Sequence, residues 1–181
     1  MTGGGVRVGR AVALGLARAG VDVFIHYNRS AGSAEETAQA ARDLGVRAEI
    51  GSVDLSDPAT APQLVELAVK SLGTPSILVN SASGFPSDTI SDVSLEGWRR
   101  TFDLTLASPV FVTQALAQAL PDDLDGAVLP IVGEGPLVGE AEDETDLFSI
   151  RFDGEDLERL TEGGTSPSDV QLIEDKTLFY L

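Results

Sequence analysis

Over its first 132 residues the chain alternates between apolar residues at helical spacing and short apolar runs, with only brief breaks between them. No other feature limits the possible folds so strongly. Val8, Val12, Leu16 and Ala19 share one helical face, and Gly20 follows as a stop signal. Residues 21–27 read as a strand. Ser33 and Glu36 stand at capping-box spacing ahead of Ala38, Ala41 and Leu44, and Gly45 closes that helix. Residues 46–53 read as the next strand. Asp57-Pro58 opens a helix with an apolar face of Leu64, Leu67, Ala68 and Leu72, ended by Gly73. Residues 76–80 form a buried strand. Ser94 caps a longer helix that reaches Leu120 and is expected to bend at Pro109. Residues 126–132 supply a further strand, although Pro130 is unusual inside one. Strands separated by helices of this length pair in parallel with right-handed crossovers, so an α/β fold with a parallel sheet is predicted. Such sheets bind ligands beyond the carboxyl ends of their strands. That directs attention to residues 2–9, 26–30, 54–57 and 80–86.

The last 49 residues break the pattern. Residues 1–132 carry 15 acidic and 9 basic side chains, whereas residues 133–181 carry 14 and 3. The chain is therefore divided into a sheet-forming domain over 1–132 and an acidic, irregular C-terminal segment over 133–181. Within that segment an acidic run at 139–146 is expected to be a solvated loop, 147–152 a short strand, 156–160 one or two helical turns, and 163–169 a turn cluster; 175–181 ends in an apolar tip. A net charge of −17 repels phosphate backbones and anionic lipid, which sets aside nucleic acid and membranes as partners. No apolar run approaches the ~18 residues needed to cross a bilayer, and no signal-peptide pattern opens the sequence. A cytoplasmic location is expected. With no cysteine and one histidine, disulfides, thiolate chemistry and multi-histidine metal sites are excluded, and no metal site is predicted.

Four segments at the predicted strand ends carry chemistry. Thr2-Gly3-Gly4-Gly5-Val6-Arg7-Val8-Gly9 is a glycine-rich loop running into a helix. Gly3 and Gly5 allow tight turns, Gly9 allows close packing, and a helix N-terminus offers amides to a pyrophosphate. His26-Tyr27-Asn28-Arg29-Ser30 follows the first readable strand, where an acidic residue favours NAD and an arginine accepts the 2′-phosphate of NADP. Arg7 and Arg29 together suit a phosphate dianion. Asp54-Leu55 follows the next strand; its carboxylate can accept from an adenine amino group, or can simply cap the following helix. Asn80-Ser81-Ala82-Ser83 ends a later strand with small polar residues that let the chain pass close to a ribose, or that merely turn.

As an ordered set these segments resemble the short-chain dehydrogenase/reductase family. Thr2-Gly3, Arg7 and Gly9 with His26-Tyr27, Arg29 and Ser30 resemble its pteridine-reductase branch. Asp54-Leu55 resembles the family's Asp-Leu pair, and Asn80-Ser81-Ala82-Ser83 its Asn-Asn-Ala-Gly/Ser segment. Residues 94–98 and 107–111 resemble its fourth helix. The resemblance spans residues 2–132. It implies a Rossmann-like doubly wound sheet, NADP(H) as cofactor, and oxidoreductase activity on a small carbonyl or pterin. It further implies that Gly3, Gly5 and Gly9 shape the pyrophosphate loop, that Arg7, Arg29 and Ser30 bind the 2′-phosphate, and that Tyr27 lies in the cofactor segment. Asp54 and Leu55 would meet the adenine, and Asn80 and Ala82 the ribose.

Two departures temper that expectation. The family carries a strand ahead of the glycine loop, at the centre of the sheet, whereas this sequence opens at Met1. An incomplete sheet is therefore expected, with the strands at 21–27 and 76–80 lacking the neighbour between them, and the exposed apolar surface favours homo-oligomers. The family's catalytic tyrosine, followed by lysine four residues on, has no counterpart. Tyr27 is followed at that spacing by Ala31, and Tyr180 is the penultimate residue. Gly133 or Glu134 falls at the family's Ser/Asp position and Thr105 at its helix asparagine. A tyrosine without a cation beside it ionises at about 10 and exchanges protons poorly at neutral pH. No catalytic residue is assigned. The expectation is an NADP(H)-dependent oxidoreductase impaired in catalysis, whether by truncation or frame shift, or else a non-catalytic nucleotide-binding or interaction module.

Overall fold

The computed structural model describes residues 1–84, 86–121, 124, 126–130, 148–151 and 158–159. Each crossover has the predicted composition. Helix α1 (Arg7–Arg18) is followed by Gly20, whose φ of 84° turns the chain into β1 (Val23–Tyr27). Helix α2 (Ala31–Asp43) ends before Gly45, at φ 95°, and leads into β2 (Ala48–Ser52). A 3₁₀ turn over Pro58–Thr60 precedes α3 (Ala61–Leu72); Asp57 caps it by accepting from the Ala59 amide at 3.0 Å. Then come β3 (Ile77–Asn80), α4 (Leu95–Phe102), α5 (Ser108–Ala119) and β4 (Ala127–Pro130).

The first four strands pair in parallel. β1 aligns with β2, Ile25 opposite Ile50, and β3 aligns with β4, Val79 opposite Leu129. These are two separate ladders, with the space between β1 and β3 spanned at one end by Met1 and Thr2. The Thr2 amide donates to the Val79 carbonyl at 2.9 Å, and the His26 amide donates to the Met1 carbonyl at 2.9 Å. The expected gap between strands 21–27 and 76–80 is thus real along most of its length, but it is closed at the carboxyl end by these two residues. Helices α1 and α2 cover one face, burying Ala13, Leu16, Ala17, Ala34, Ala38 and Ala41 against Val23, Ile25 and Val79. Helices α3 and α5 cover the other, burying Leu64, Val65, Ala68, Val112 and Leu116 against Phe24, Leu78 and Val128. Both strand faces are apolar because both are covered.

Three expectations are revised. The capping box at Ser33 and Glu36 does not start α2; the Ala34 amide bonds the Ser30 carbonyl at 3.0 Å, so the helix begins at Ala31 and Ser33 lies inside it. The bend at Pro109 takes the form of a π-helical turn over Asp103–Ala107. A proline ring collides with the carbonyl four residues back in a regular helix, and the wider turn relieves that. Of the helical turns expected at 156–160, the two described residues are instead strand: β6 (Glu158–Arg159) pairs antiparallel with β5 (Phe148–Arg151), which pairs antiparallel with β4. Ladder hydrogen bonds to Phe148 and Ser149 claim the Glu158 and Arg159 backbone, which a helix would have used internally. The expected strand at 147–152 is present as β5. The acidic run at 139–146, the turn cluster at 163–169, Gly133, Glu134 and the tip at 175–181 with Tyr180 lie outside the described residues.

Leu116 on α5 is fully enclosed by this second cluster, whereas Leu106 stands half exposed. Leu116→Ala should lower unfolding free energy by about 2–5 kcal/mol, and Leu106→Ala by less than about 0.5 kcal/mol. Urea denaturation of the two variants measures the contrast.

Candidate dinucleotide site

The glycine loop is held against the end of β3 by a single hydroxyl. Thr2 is buried, and its Oγ1 accepts from the Ser81 and Ala82 amides, both at 3.0 Å. The approach is so close that side chains are excluded. A Cβ at Gly3, which sits at φ 63°, would lie 2.8 Å from the Ser81 carbonyl oxygen and 2.9 Å from the Ala82 Cα. A Cβ at Gly9 would collide with the Gly3 carbonyl oxygen. Gly5 lies against the first turn of α2, where a Cβ would be 3.1 Å from the Ala34 amide nitrogen. The Thr37 hydroxyl reaches from α2 to the Gly5 carbonyl at 3.1 Å. The loop is therefore clamped by β3 on one side and α2 on the other.

That clamp delivers the loop to the N-terminus of α1. Val6 offers no side-chain cap there, and no acidic residue occupies the first turn. The positive end of the helix dipole faces out where an anion would sit. Arg7 opens the helix with φ 51°, a left-handed conformation seldom adopted by residues with a Cβ, and its side chain is exposed.

His26, at the end of β1, ties the loop to two strands at once. Its Nε2 is 2.8 Å from the Val53 carbonyl, and the Gly3 amide donates to its Nδ1 at 3.3 Å. Both bonds require a neutral ring that carries its proton on Nε2. Burial is the main influence on this ring and pushes its pKa down to about 4, against the opposing pull of the Val53 carbonyl. Beyond His26, Tyr27 is half-buried, and Asn28, Arg29 and Ser30 are exposed.

Asp54 stands beside them at the end of β2. Its Oδ1 accepts from Asn28 Nδ2 at 3.0 Å, from the Ser56 amide at 3.0 Å and from the Ser56 hydroxyl at 2.7 Å. Its Oδ2 lies 3.6 Å from an Arg100 guanidinium nitrogen on α4. The two Ser56 hydrogen bonds, then the charges of Arg100 and Arg29, keep its carboxyl below the usual aspartate range. It remains an ionised acceptor with Oδ2 turned away from Ser56. Leu55 is buried, and its carbonyl accepts from the Ser108 hydroxyl of α5.

The structure therefore brings the predicted residues together at one end of the sheet in two groups. Gly3 meets Ala82 beside Thr2, which bridges to Asn80, while Gly9 packs on Gly3 and Gly5 on α2. Tyr27, Arg29 and Ser30 lie with Asp54 around the Asn28 amide. Of the residues that do the holding, Thr2, His26 and Asn28 were named in the sequence only as members of their segments, without this role, and Thr37, Ser56 and Arg100 were not singled out. The one signal for His26 was a lone histidine at a strand end, where a buried ring needs partners for both nitrogens. Among the described residues no group of three or more His, Cys, Asp or Glu is placed to hold a metal. No helix among them is long and apolar enough to cross a membrane.

The short chain dehydrogenase family model matches residues 1–141. The chain belongs to the short-chain dehydrogenase family. An L-rhamnose 1-dehydrogenase (NADP(+)) of Thermoplasma acidophilum is 31% identical over 140 residues, covering 77% of this chain and 55% of the relative. The solved structure of FolM alternative dihydrofolate reductase 1 from Brucella canis, complexed with NADP, matches with a TM-score of 0.67 and 36% identity, over 72% of this chain and 53% of that one. A short chain dehydrogenase from Burkholderia cenocepacia in complex with NADP matches with a TM-score of 0.63 and 32% identity, over 66% of this chain and 49% of that one. The chain spans about half the length of the relatives it matches. The FolM likeness agrees in part with the pteridine-reductase resemblance of the loop and the His26–Ser30 segment.

Two outcomes follow from the clamp. Gly9→Ala drives a methyl group into backbone, and it should cost about 1–3 kcal/mol of stability, read by thermal or urea unfolding. The His26 ring has a lower pKa folded than its ordinary 6.5, so the unfolded chain takes up the proton first. The stability it contributes is complete above about 6.5 and fades as pH falls towards 4, by on the order of 3 kcal/mol. Comparing wild type with His26→Gln in urea at several pH values isolates this contribution. A wild-type advantage that grows on acidification would show that the folded ring is charged.

Proposed function

We propose that this chain is an NADP(H)-dependent oxidoreductase whose nucleotide-binding end is intact and whose own proton-transfer machinery is deficient. The observation that carries the binding reading is the clamp. Gly3 and Gly9 have no room for a Cβ and Gly5 has only a tight fit, and the loop they form delivers an uncapped helix N-terminus to the strand ends. Such a cradle fits a pyrophosphate. Arg29 and Ser30, with Arg7 from the loop, take the 2′-phosphate. An acidic residue at that strand end would have favoured NAD instead. Tyr27 flanks the adenosine end, Asp54 offers Oδ2 to the adenine amino group above Leu55, and Asn80 and Ala82 border the ribose. NADP-complexed relatives of the same fold support the choice of cofactor.

When bound, NADPH supplies a hydride to an electrophilic carbon, which suits a small carbonyl or pterin substrate. The reduced oxygen or nitrogen must then receive a proton. Tyr27 has Ala31, not lysine, four residues on, and it lies at the adenosine end of the site. Proton delivery is the missing step, and turnover by the 181-residue chain is slow.

The partner of this chain, beyond a small substrate, is a second copy of itself. Leu95, Trp98, Phe102, Leu106 and Val110 recur along the α4–α5 helical run and are all exposed. The Trp98 and Phe102 rings lie 5.4 Å apart, a preformed apolar ridge. A stripe of this kind supports self-association.

Calorimetric titration should show NADPH binding more tightly than NADH. Arg29→Ala should weaken NADPH by about tenfold or more and leave NADH within about twofold. Equal affinity for the two cofactors would overturn the 2′-phosphate assignment, and rapid NADPH-dependent carbonyl or pterin reduction by the purified chain would overturn the deficiency. Trp98→Glu should lower the mass measured by light scattering towards that of one chain.

A further inference from the structure

The Asp54 carboxylate is held at its two oxygens by two different parts of the chain. Oδ1 gathers three donors from nearby loops: Asn28 Nδ2, the Ser56 amide and the Ser56 hydroxyl. A carboxylate held at one oxygen can still swing about that point, so these bonds do not decide where Oδ2 lies. The second hold comes from α4. Arg100 brings a guanidinium nitrogen to 3.6 Å from Oδ2, with both side chains about half exposed. Its charge also ranks after the Ser56 hydrogen bonds among the influences that keep Asp54 ionised.

The helix places Arg100 for this contact. Ser94 caps α4 by accepting from the Gly97 amide at 3.0 Å, and Arg100 stands in the last turn, where the helix dipole favours a cation. With Leu95, Glu96, Arg99 and Asp103 it lines an open cleft of about 570 Å³ that Ser56 borders from the other side. Ser56 thus fixes Oδ1 from one wall, and Arg100 fixes Oδ2 from the other. Arg99 shares the cleft and the charge, but among the described residues it makes no ion pair with Asp54. The two arginines therefore differ in contact rather than in charge. A pair as exposed as Arg100 and Asp54 shifts an equilibrium by no more than about fivefold. Its consequence is where the carboxylate aims, more than how firmly the chain folds.

We propose that Arg100 is a positioning residue for purine selection: it holds Oδ2 of Asp54 where a 6-amino group is read, and so favours adenine over a 6-oxo purine in the cofactor. This rests on the adenine contact proposed for Asp54. An ionised carboxylate only accepts hydrogen bonds. An amino group donates to it, whereas a carbonyl oxygen at the same ring position sets acceptor against acceptor and leaves both without a donor. The selection depends on Oδ2 keeping one place, because a hydrogen bond weakens steeply once it is misaligned. Asp54 reads the base, and Arg100 supplies the aim.

The test uses the 181-residue chain and two cofactors of equal charge: NADPH and its hypoxanthine analogue, in which a carbonyl replaces the 6-amino group. Calorimetric titration gives the ratio of their affinities, in which any general attraction for an anion cancels. Wild type should favour NADPH by about tenfold or more. Arg100→Ala should narrow that ratio by about three- to fivefold, and Arg100→Lys should restore it to within about twofold of wild type. Arg99→Ala should leave the ratio unchanged. Urea midpoints of all three variants should lie near that of wild type, so that a changed ratio does not report a damaged fold. A wild-type ratio near one would overturn the Asp54 reading and the proposal with it. A wild-type preference that Arg100→Ala keeps in full would overturn the role of Arg100 alone. So would a ratio that widens in Arg100→Ala, which would mean that the guanidinium meets the base itself, or an equal narrowing in Arg99→Ala. Binding of neither cofactor to wild type would overturn both readings.

Discussion

Everything at the site hangs from two residues. Met1 and Thr2 are the only described strand-like link between the β1–β2 ladder and the β3–β4 ladder. Thr2 does a second job with its side chain, gathering the Ser81 and Ala82 amides onto one oxygen. A buried hydroxyl oxygen with two donors is fully used, and removing it would strand two amides without acceptors. The same two residues lead straight into the glycine loop. Sheet closure and loop placement are therefore one constraint rather than two. The helices hold the ladders face to face through apolar contact, but side-chain packing alone does not fix where a strand end lies to within a hydrogen bond.

The electrostatics of the site run against those of the chain as a whole. The net charge is strongly negative, but nearly half of the acidic side chains lie after residue 132. At the strand ends the picture is local. Arg29 and Arg100 bear on Asp54, and the carboxylate is held by Ser56 and Asn28. Charges beyond a Debye length of about 8–10 Å are screened at physiological salt. An anionic cofactor therefore responds to the helix N-terminus and the nearby guanidinium groups more than to total charge. His26 works by the opposite device: burial keeps it neutral, so it can accept from Gly3 while donating to Val53.

Binding and chemistry separate cleanly in this fold, because a parallel sheet grips the nucleotide with loops from its first strands while a reaction needs groups brought in from elsewhere. The residues proposed for the first task lie together at one end of the sheet. Family membership says how such a sheet is built, whereas what it does depends on the particular side chains present. Tyr27 illustrates the point: a tyrosine is present at the end of β1, but Ala31 rather than a lysine stands four residues on.

Much of this was legible from local pattern. Residue spacing alone determined the helices around Leu16, Ala38, Leu64 and Val112, the four parallel strands, and the strand ends where Gly3, Arg29, Asp54 and Asn80 gather. The reason is that 3.6-residue and two-residue periodicities and glycine stops are properties of neighbouring residues. Tertiary structure alone decided the rest. It recruited Thr2, His26, Thr37 and Arg100 into the site, started α2 at Ala31 rather than at Ser33, and turned Glu158–Arg159 into strand. It also showed that Met1 and Thr2 link the two ladders at one end. Each of these depends on partners 20 to 80 positions away in the chain or on a competing claim for backbone hydrogen bonds, and no local pattern records which distant carbonyl or amide will be there.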